Sequence, residues 1–333
     1  MTTAGSQAGL LAAARDGDER AFTQLVEPHR RELHRHCYRM LGSVHDADDA
    51  VQESLLRAWK AIAGFDGCES VRPWLYKIAT NRCLTLIETR RRRELPTDLS
   101  PGTVPTRETE WLEPYPDARL GLDALSPEAR TIARERVELA FVAALQQLSA
   151  LQRAVLVLRD VMEFPAREVA ELLETTVPAV NSALQRARAV VERRTPPRSQ
   201  QEELTRLGAE VRTIAERYAT AWEAADVDGI VAMFADDVRL AMPPMLEWYQ
   251  GPAAVKAALL AGPITHRWRL LPTGANGQLA FGGYRWDDTQ RAFMAEGVDV
   301  LTLRDGRITA ITAFLTADLD SYGLPPKISS GPR

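Results

Sequence analysis

The chain has 333 residues, 41 Lys+Arg against 45 Asp+Glu for a formal net charge of −4, 45% hydrophobic residues and three cysteines. That length suggests two or three domains, and the hydrophobic share excludes a disordered or fibrous chain. No apolar run reaches the roughly 18 residues of a membrane span, the first residues lack a basic stretch followed by an apolar one, and three scattered cysteines make no disulfide framework, so the expected location is the cytoplasm with no membrane partner.

Charge is unevenly spread: residues 1–93 carry +3, residues 94–135 carry −5, residues 136–198 carry +2 and residues 199–333 carry −4. Two basic modules flank an acidic connector, and an acidic module follows.

Taken in order, the first module reads as helices. Asp18 caps one whose apolar residues Phe22, Leu25, Val26, Leu33, Cys37 and Leu41 recur at helical spacing, and Gly42 stops it. A second starts near Ser43, with Asp46, Asp48 and Asp49 where acids suit the positive end of the helix dipole, and runs through Val51, Leu55, Leu56 and Trp59 to Gly64. A third starts near Ser70, tolerates Pro73 in its first turn, and ends in Arg90, Arg91, Arg92 and Arg93. Pro101, Pro105, Pro114 and Pro116 then mark an extended acidic linker. Helices resume near Thr131 and continue to Arg194, where Pro196 and Pro197 set a second boundary.

From Leu204 the pattern changes. Leu207, Val211, Ala215, Tyr218 and Trp222 belong to a long amphipathic helix, a shorter helix spans about Gly229 to Phe234, and strand-like runs follow. These are Val238 to Met242, Arg267 to Leu271, Gln278 to Tyr284, Arg291 to Leu303 and Arg307 to Leu315, the last two joined by an Asp305-Gly306 turn. Helices followed by antiparallel strands indicate an α+β module.

The sharpest motif is EVAELLETTVPAVNSALQRAR, Glu168 to Arg188. A short helix ends at the turn residues Glu174 and Thr175, and Thr176 caps a second helix whose apolar face is Val177, Val180, Leu184 and Ala187. Asn181, Ser182, Gln185, Arg186 and Arg188 are left outward, as a helix reading base edges and phosphates requires. An ordinary helical hairpin with a solvated basic face has the same pattern. The helix from Ser70 interleaves Trp74 and Tyr76 with Lys77, Asn81 and Arg82, the composition that stacks unpaired bases while tracking phosphates, although Trp74 suits a core equally well.

DADDAVQESLLRAW (Asp46 to Trp59), VRPWLYKIATNRCLTLIETRRRR (Val71 to Arg93) and the helix-turn-helix together resemble regions 2 and 4 of extracytoplasmic-function (ECF) sigma factors of the sigma-70 family. The resemblance covers about residues 10–195, and the third module is similar to the SnoaL-like cone-shaped α+β barrel that some of these proteins carry. It implies a multidomain chain: an all-α region 2 over residues 8–94, a linker over 95–130, an all-α region 4 with helix-turn-helix over 131–195, and a regulatory α+β barrel over 203–325. It further implies an RNA polymerase sigma factor that directs promoter-specific initiation. The implied partners are core RNA polymerase, through its β′ clamp and β subunits, and promoter DNA, with a small ligand or an anti-sigma protein as further candidates. Asp48, Asp49, Gln52, Glu53 and Leu56 match the helix that docks on the β′ clamp, acids on a solvent-facing stripe suiting a basic partner. The loop Phe65 to Arg72, with Arg72, Trp74, Lys77, Asn81, Arg90 and Arg91, matches the part that captures a flipped base and melts the proximal element. Thr176, Asn181, Ser182, Gln185, Arg186 and Arg188 match the reader of the distal element. Glu174 and Thr175 replace the Gly and apolar residue more usual in the turn, and Asn181 and Ala183 replace frequent basic residues, which predicts a shallower salt dependence.

For the third module, aromatics supply a ligand pocket, with Trp222, Trp248, Trp268, Tyr284 and Glu296 as lining. Catalysis is not expected: the acids lie mostly at turns or helix ends, and Glu296 and Asp299, three apart, face opposite sides of a regular strand. His34 and His36 fall on different helix faces, Cys37 reads as core, and neither a CxxC or HxxxH pattern nor a Gly-rich phosphate loop is present, so neither a metal nor a cofactor is expected. Two competing readings remain: a ligand-responsive DNA-binding regulator that works without polymerase, and an isomerase or cyclase fused to helical domains.

Overall fold

The structure, a computed structural model, describes residues 3–65, 70–89, 93–98, 110–122 and 125–329. Its helices are α1 (Thr3–Arg15), α2 (Glu19–Leu41), α3 (Val44–Ala61), α4 (Val71–Thr89), α5 (Pro127–Glu135), α6 (Leu139–Gln146), α7 (Ala150–Leu156), α8 (Ala166–Leu172), α9 (Val177–Arg194), α10 (Gln200–Leu207), α11 (Glu210–Glu223), α12 (Val227–Val231) and α13 (Pro252–Ala261). Its strands are β1 (Arg93–Glu94), β2 (Glu110–Trp111), β3 (Phe234–Ala241), β4 (Trp248–Gln250), β5 (Trp268–Ala275), β6 (Gln278–Asp287), β7 (Ala292–Arg304), β8 (Arg307–Phe314) and β9 (Lys327–Ser329). The chain divides into two units, Met1–Arg92 with Val142–Thr195, and Arg93–Phe141 with Pro196–Arg333.

The first unit is helical, and its helix ends follow the sequence signals. The Asp18 carboxylate accepts from the N–H groups of Arg20 and Ala21 at the start of α2, and Gly42 closes that helix at a left-handed φ of 72°. Ser43 caps α3 by accepting from the Asp46 N–H. Tyr38 and Met40 of α2 and Leu75 and Tyr76 of α4 are buried together with Val155 and Leu156 of α7. Ser149 and Gln152 form a capping box at the start of α7, which runs into a π-helical turn over Val157–Val161.

A buried cation holds the two halves of this unit. The Arg153 guanidinium donates to the Met40 carbonyl, to Gln146 Oε1 at 2.6 Å and to the Gln146 carbonyl at 3.1 Å. Gln146 Nε2 in turn donates to the Arg39 carbonyl at 3.2 Å. Both donors satisfy carbonyls at the C-terminal end of α2, where the helix dipole favours positive charge.

In the second unit the sheet order is β4-β3-β8-β7-β6-β5, with β9 beside β7. The β3–β8 pair is parallel and the other pairs are antiparallel. Asn276-Gly277 and Asp305-Gly306 each place two consecutive residues at positive φ, the requirement of a two-residue hairpin turn that matches strand twist. Ile214, Tyr218 and Trp222 of α11 pack on Leu240, Phe281, Leu301 and Ile311 of the sheet.

The stretch expected to be an extended linker departs from that expectation. Its described parts belong to the second unit and pack there. Leu112, Tyr115 and Leu120 are buried. Asn276 accepts from the Tyr115 N–H through Oδ1 at 2.8 Å, donates its own N–H to the Tyr115 carbonyl at 2.8 Å, and donates from Nδ2 to the Val137 carbonyl at 2.7 Å. Gly277 N–H donates to Asp117 Oδ1 at 2.8 Å, and the Tyr322 hydroxyl donates to the Pro114 carbonyl at 2.8 Å. A proline-rich segment with few periodic apolar residues reads as open chain, yet Leu112, Tyr115 and Leu120 are buried, and the backbone of Tyr115 and the side chain of Asp117 are bonded to the Asn276-Gly277 turn while Tyr322 takes the Pro114 carbonyl. Pro101 and Pro105 lie outside the described residues.

Candidate functional site

On α3 the residues matched to the clamp-docking helix form one outward stripe. Asp48, Asp49 and Gln52 are exposed, Glu53 is half-buried, and Leu56 is 50% exposed, an apolar side chain left in water. His34 Nε2 lies 3.2 Å from Asp48, and Arg57 donates to Glu53 at 2.8 Å, a hydrogen bond that holds the Glu53 carboxyl below its usual range. An apolar residue between acids, on a helix whose other face is buried through Ala47, Ala50, Val51 and Ala58, is suited to a partner surface that is basic with an apolar centre.

The α4 residues are engaged in different ways. Trp74 is half-buried and stacks on Phe65, ring centroids 4.6 Å apart. Arg72 pairs with Glu32 at 3.2 Å and lies over the Phe164 ring at 4.8 Å. Lys77 reaches Glu174 of the helix-turn-helix turn at 3.3 Å, and Asn81 is exposed. Arg90, Arg91 and the loop residues 66–69 lie outside the described residues.

The helix-turn-helix is α8, a turn, and α9. The Thr176 hydroxyl accepts from the Ala179 N–H, so this side chain caps the helix. Asn181, Ser182, Gln185, Arg186 and Arg188 are all exposed, while Val180, Ala183, Leu184 and Ala187 are buried. Ala183, expected where basic side chains are frequent, therefore belongs to the packing face, and a long cation there would have no room to reach DNA. Val177, expected on the apolar face, is 37% exposed. Arg186 donates to Ser182 Oγ at 2.6 Å, and Arg188 forks onto Asp160 with two bonds of 2.7 Å, which raises its pKa. Glu174 occupies the turn at a φ of 51°, the left-handed conformation that explains why glycine is the usual residue there.

In the second unit, a cavity of about 380 Å³ opens between α11, α13 and the sheet. Trp222, Trp268 and Glu296 are among its lining residues. Trp248 and Tyr284 are not. Side chains alternate across a strand, and Tyr249 and the pair Gly283 and Arg285 line the cavity, so their neighbours Trp248 and Tyr284 point to the other face. There Trp248 meets Arg239, and the Tyr284 hydroxyl donates to the Pro325 carbonyl at 2.8 Å.

Glu296 and Asp299 also differ from expectation, since both line the cavity. The β6–β7 pairing passes from Tyr284↔Ala295 to Gly283↔Gly297, which leaves Glu296 as the extra residue of a bulge and reverses the alternation beyond it. Asp299 borders the cavity, and burial pushes its carboxyl up to about 7, while the Tyr218 hydroxyl donates to it at 3.3 Å. Regular strand alternation conceals this pair; Gly297, where a Cβ would fall 2.4 Å from the Phe314 carbonyl oxygen, is the residue in the sequence that marks the bulge.

Among the described residues no group of three or more His, Cys, Asp or Glu is placed to hold a metal ion, and no helix is long and apolar enough to cross a membrane. His36 donates to or accepts from Thr80 at 2.9 Å, and burial lowers its pKa to about 3.

Comparison with known proteins agrees with this arrangement. Residues 25–93 match the Sigma-70 region 2 model, residues 138–190 the Sigma-70, region 4 model, and residues 215–311 the SnoaL-like domain model. The chain is 44% identical over 333 residues to the ECF RNA polymerase sigma factor SigG of Mycobacterium tuberculosis, covering 95% of this chain and 86% of that protein. It is 31% identical over 178 residues to the ECF sigma factor SigW of Bacillus subtilis, covering 54% of this chain and 90% of that one. The crystal structure of the M. tuberculosis ECF sigma factor SigJ superimposes with a TM-score of 0.60 at 26% identity, covering 91% of this chain and 99% of that one. With both sigma regions in order and a relative this similar along nearly its whole length, the chain belongs to the ECF RNA polymerase sigma factor family and carries a C-terminal SnoaL-like domain.

Proposed function

We propose that this chain is a promoter-specificity subunit that binds core RNA polymerase through the α3 stripe and promoter DNA through α4 and α9, and that it works in the cytoplasm, where core polymerase is found. The observation that carries this reading is the exposure of two separate faces in a chain of this family. Asp48, Asp49, Gln52, Glu53 and Leu56 present acids around an apolar residue on α3, and Asn181, Ser182, Gln185 and Arg186 present base-reading groups on α9. Arg72, Trp74, Lys77 and Asn81 supply the aromatic and cationic groups that promoter melting needs, with Arg90 and Arg91 extending that charge.

The second unit is read as a regulator that acts without turnover. The connector between α4 and α6 is held by the Asn276-Gly277 turn, so the length of chain free to span the two DNA-binding regions depends on how firmly this unit grips it. An anti-sigma protein is a further partner class consistent with the exposed α3 face.

The test is run-off transcription with core polymerase, comparing the full chain with residues 1–199. Start-site-specific transcripts from either form support the reading, and the ratio between forms gives the sign of regulation. Absence of transcripts from both, with tight binding of the free chain to closed duplex, would replace it with a polymerase-independent regulator.

A further inference from the structure

We propose that Arg267 and Arg269, on the face of the second unit's sheet that turns away from the cavity, form a site for the phosphodiester backbone of duplex DNA. Trp268 and Leu270 line the cavity, so their alternating neighbours Arg267 and Arg269 point to the opposite face. The Trp286 N–H donates to the Arg267 carbonyl at 2.9 Å, and Trp286 pairs with Phe293 across β6 and β7, their rings edge to face with centroids 5.1 Å apart. The Arg267 guanidinium lies 4.8 Å from the Trp286 ring centre and 5.8 Å from that of Phe293, and the Arg269 guanidinium lies 5.2 Å from the Phe293 centre. Two cations therefore share one aromatic ring.

Like charges this close repel each other, and neither arginine makes an ion pair with a described residue. Other arginines of the unit do find acids: Arg304 meets Asp237 at 2.6 Å and Arg285 meets Glu296 at 3.1 Å. An unpaired couple stands out in residues 199–333, whose net charge is −4. The aromatic bed is fixed from below. Phe293 is buried, and the Trp286 indole N–H donates to Asp288 at 2.8 Å, while Asp287 is turned onto the N–H groups of Thr289 and Gln290. Stacking holds a guanidinium by its face and leaves its N–H edge for an acceptor, with less freedom to lose on binding.

Guanidinium edges are matched by oxyanions, and the position of the pair selects which one. Arg267 is exposed and Arg269 half-buried, so a single free ion would gain little there against water and salt. A polymer of phosphates gains more, because each contact releases condensed counterions. Duplex DNA is the polyanion that a promoter-binding subunit already holds at high local concentration, and the inference rests on that reading of the chain. Arginines that meet only phosphates carry no sequence information, so this surface adds affinity to the reading done by α9 and leaves its specificity as it is.

The test is fluorescence anisotropy of the full chain with a labelled duplex that lacks a promoter, between about 50 and 200 mM KCl. Arg267→Gln/Arg269→Gln is expected to reduce the slope of log K against log salt by about two, so that a roughly tenfold loss of affinity at the low end nearly closes at the high end. Arg267→Lys/Arg269→Lys keeps both charges and should keep the slope. Arg212→Gln/Arg304→Gln removes as much charge from exposed arginines already paired with Glu216 and Asp237, and should leave the slope unchanged. The proposal is overturned if the Gln pair leaves the slope as it was, or if the unsubstituted chain shows no measurable duplex binding. An equal reduction in the Lys pair would trace the loss to packing on Phe293 and overturn it too, as would a Gln pair that loses labelled polyglutamate in place of duplex, the mark of an acidic protein partner. None of these measurements uses polymerase, so failure here leaves run-off transcription to decide the sigma reading separately.

Discussion

Arg186 and Arg188 both point away from the packing face of α9, yet they are held differently, and that difference is measurable. Arg186 leans on a neutral hydroxyl, whereas Arg188 forks onto the Asp160 carboxylate. Arg186→Ala is expected to weaken promoter binding by about 1–3 kcal/mol if it reads a base, measured by fluorescence anisotropy of holoenzyme with a promoter duplex. Asp160→Ala should release Arg188 to phosphate, raise non-specific duplex affinity and steepen the salt dependence by about one unit of slope. An unchanged slope would show that Arg188 does not reach DNA. In the second unit Glu138 accepts from the Gln201 N–H at 3.0 Å, and burial pushes its carboxyl up to about 7; Asp117 is pushed up to about 6 by the same cause. A carboxyl whose folded pKa lies above its unfolded value binds protons more tightly when folded. These groups therefore oppose folding as pH rises from the ordinary carboxylate range to about 7, and the penalty is constant above that. Glu138→Gln should accordingly gain thermal stability over the unsubstituted chain at pH 8 and not at pH 4, in paired calorimetric scans; equal differences at both values would contradict the sign.

At the scale of elements, the helix-turn-helix depends on its turn. Thr176 caps α9 with its hydroxyl, so its part in the motif is first to start the reading helix. Thr176→Ala should cost about 1 kcal/mol of stability and Thr176→Ser should restore most of it, as read from denaturant midpoints. Glu174, strained at its left-handed φ, is predicted to give the opposite result: Glu174→Gly should stabilise by up to about 1 kcal/mol, because its exposed pairing with Lys77 is worth little against the relief of strain. A loss of stability in Glu174→Gly would mean that the Lys77 pair matters more than the backbone. On β7 a single extra residue, Glu296, turns Asp299 inward and so creates the polar end of the cavity.

At the scale of the whole molecule, the two units do not follow the order of the chain. The first unit is assembled from residues before and after the connector, and the connector itself is built into the second. Deleting residues 200–333 removes Asn276, Gly277 and Tyr322, the groups that hold Pro114 to Asp117, and would leave Leu112, Tyr115 and Leu120 in water. Limited proteolysis of residues 1–199 is expected to cut within residues 110–141 at a dose that spares the full chain, while pull-down with core polymerase persists. Loss of polymerase association on this deletion would show that the second unit is needed for assembly.

Much of this protein is legible in its amino-acid order because local rules act within a few residues. Asp18, Gly42, Ser43 and Thr176 mark helix ends, Asp305-Gly306 marks a hairpin, and the spacing of Val180, Leu184 and Ala187 sets the outward face of α9, each through backbone groups or periodicities confined to one element. The exposed residues of α3 and α9 follow from the same periodicity. Only the tertiary structure decided what depends on distant partners. Tyr115 is bonded to a residue 161 positions away, Tyr218 to one 81 positions away, and the bulge that aims Asp299 is visible only against β6. A proline-rich stretch looks open until a hairpin turn supplies its hydrogen bonds, and a strand's alternation looks unbroken until its neighbour shows which residue has no partner.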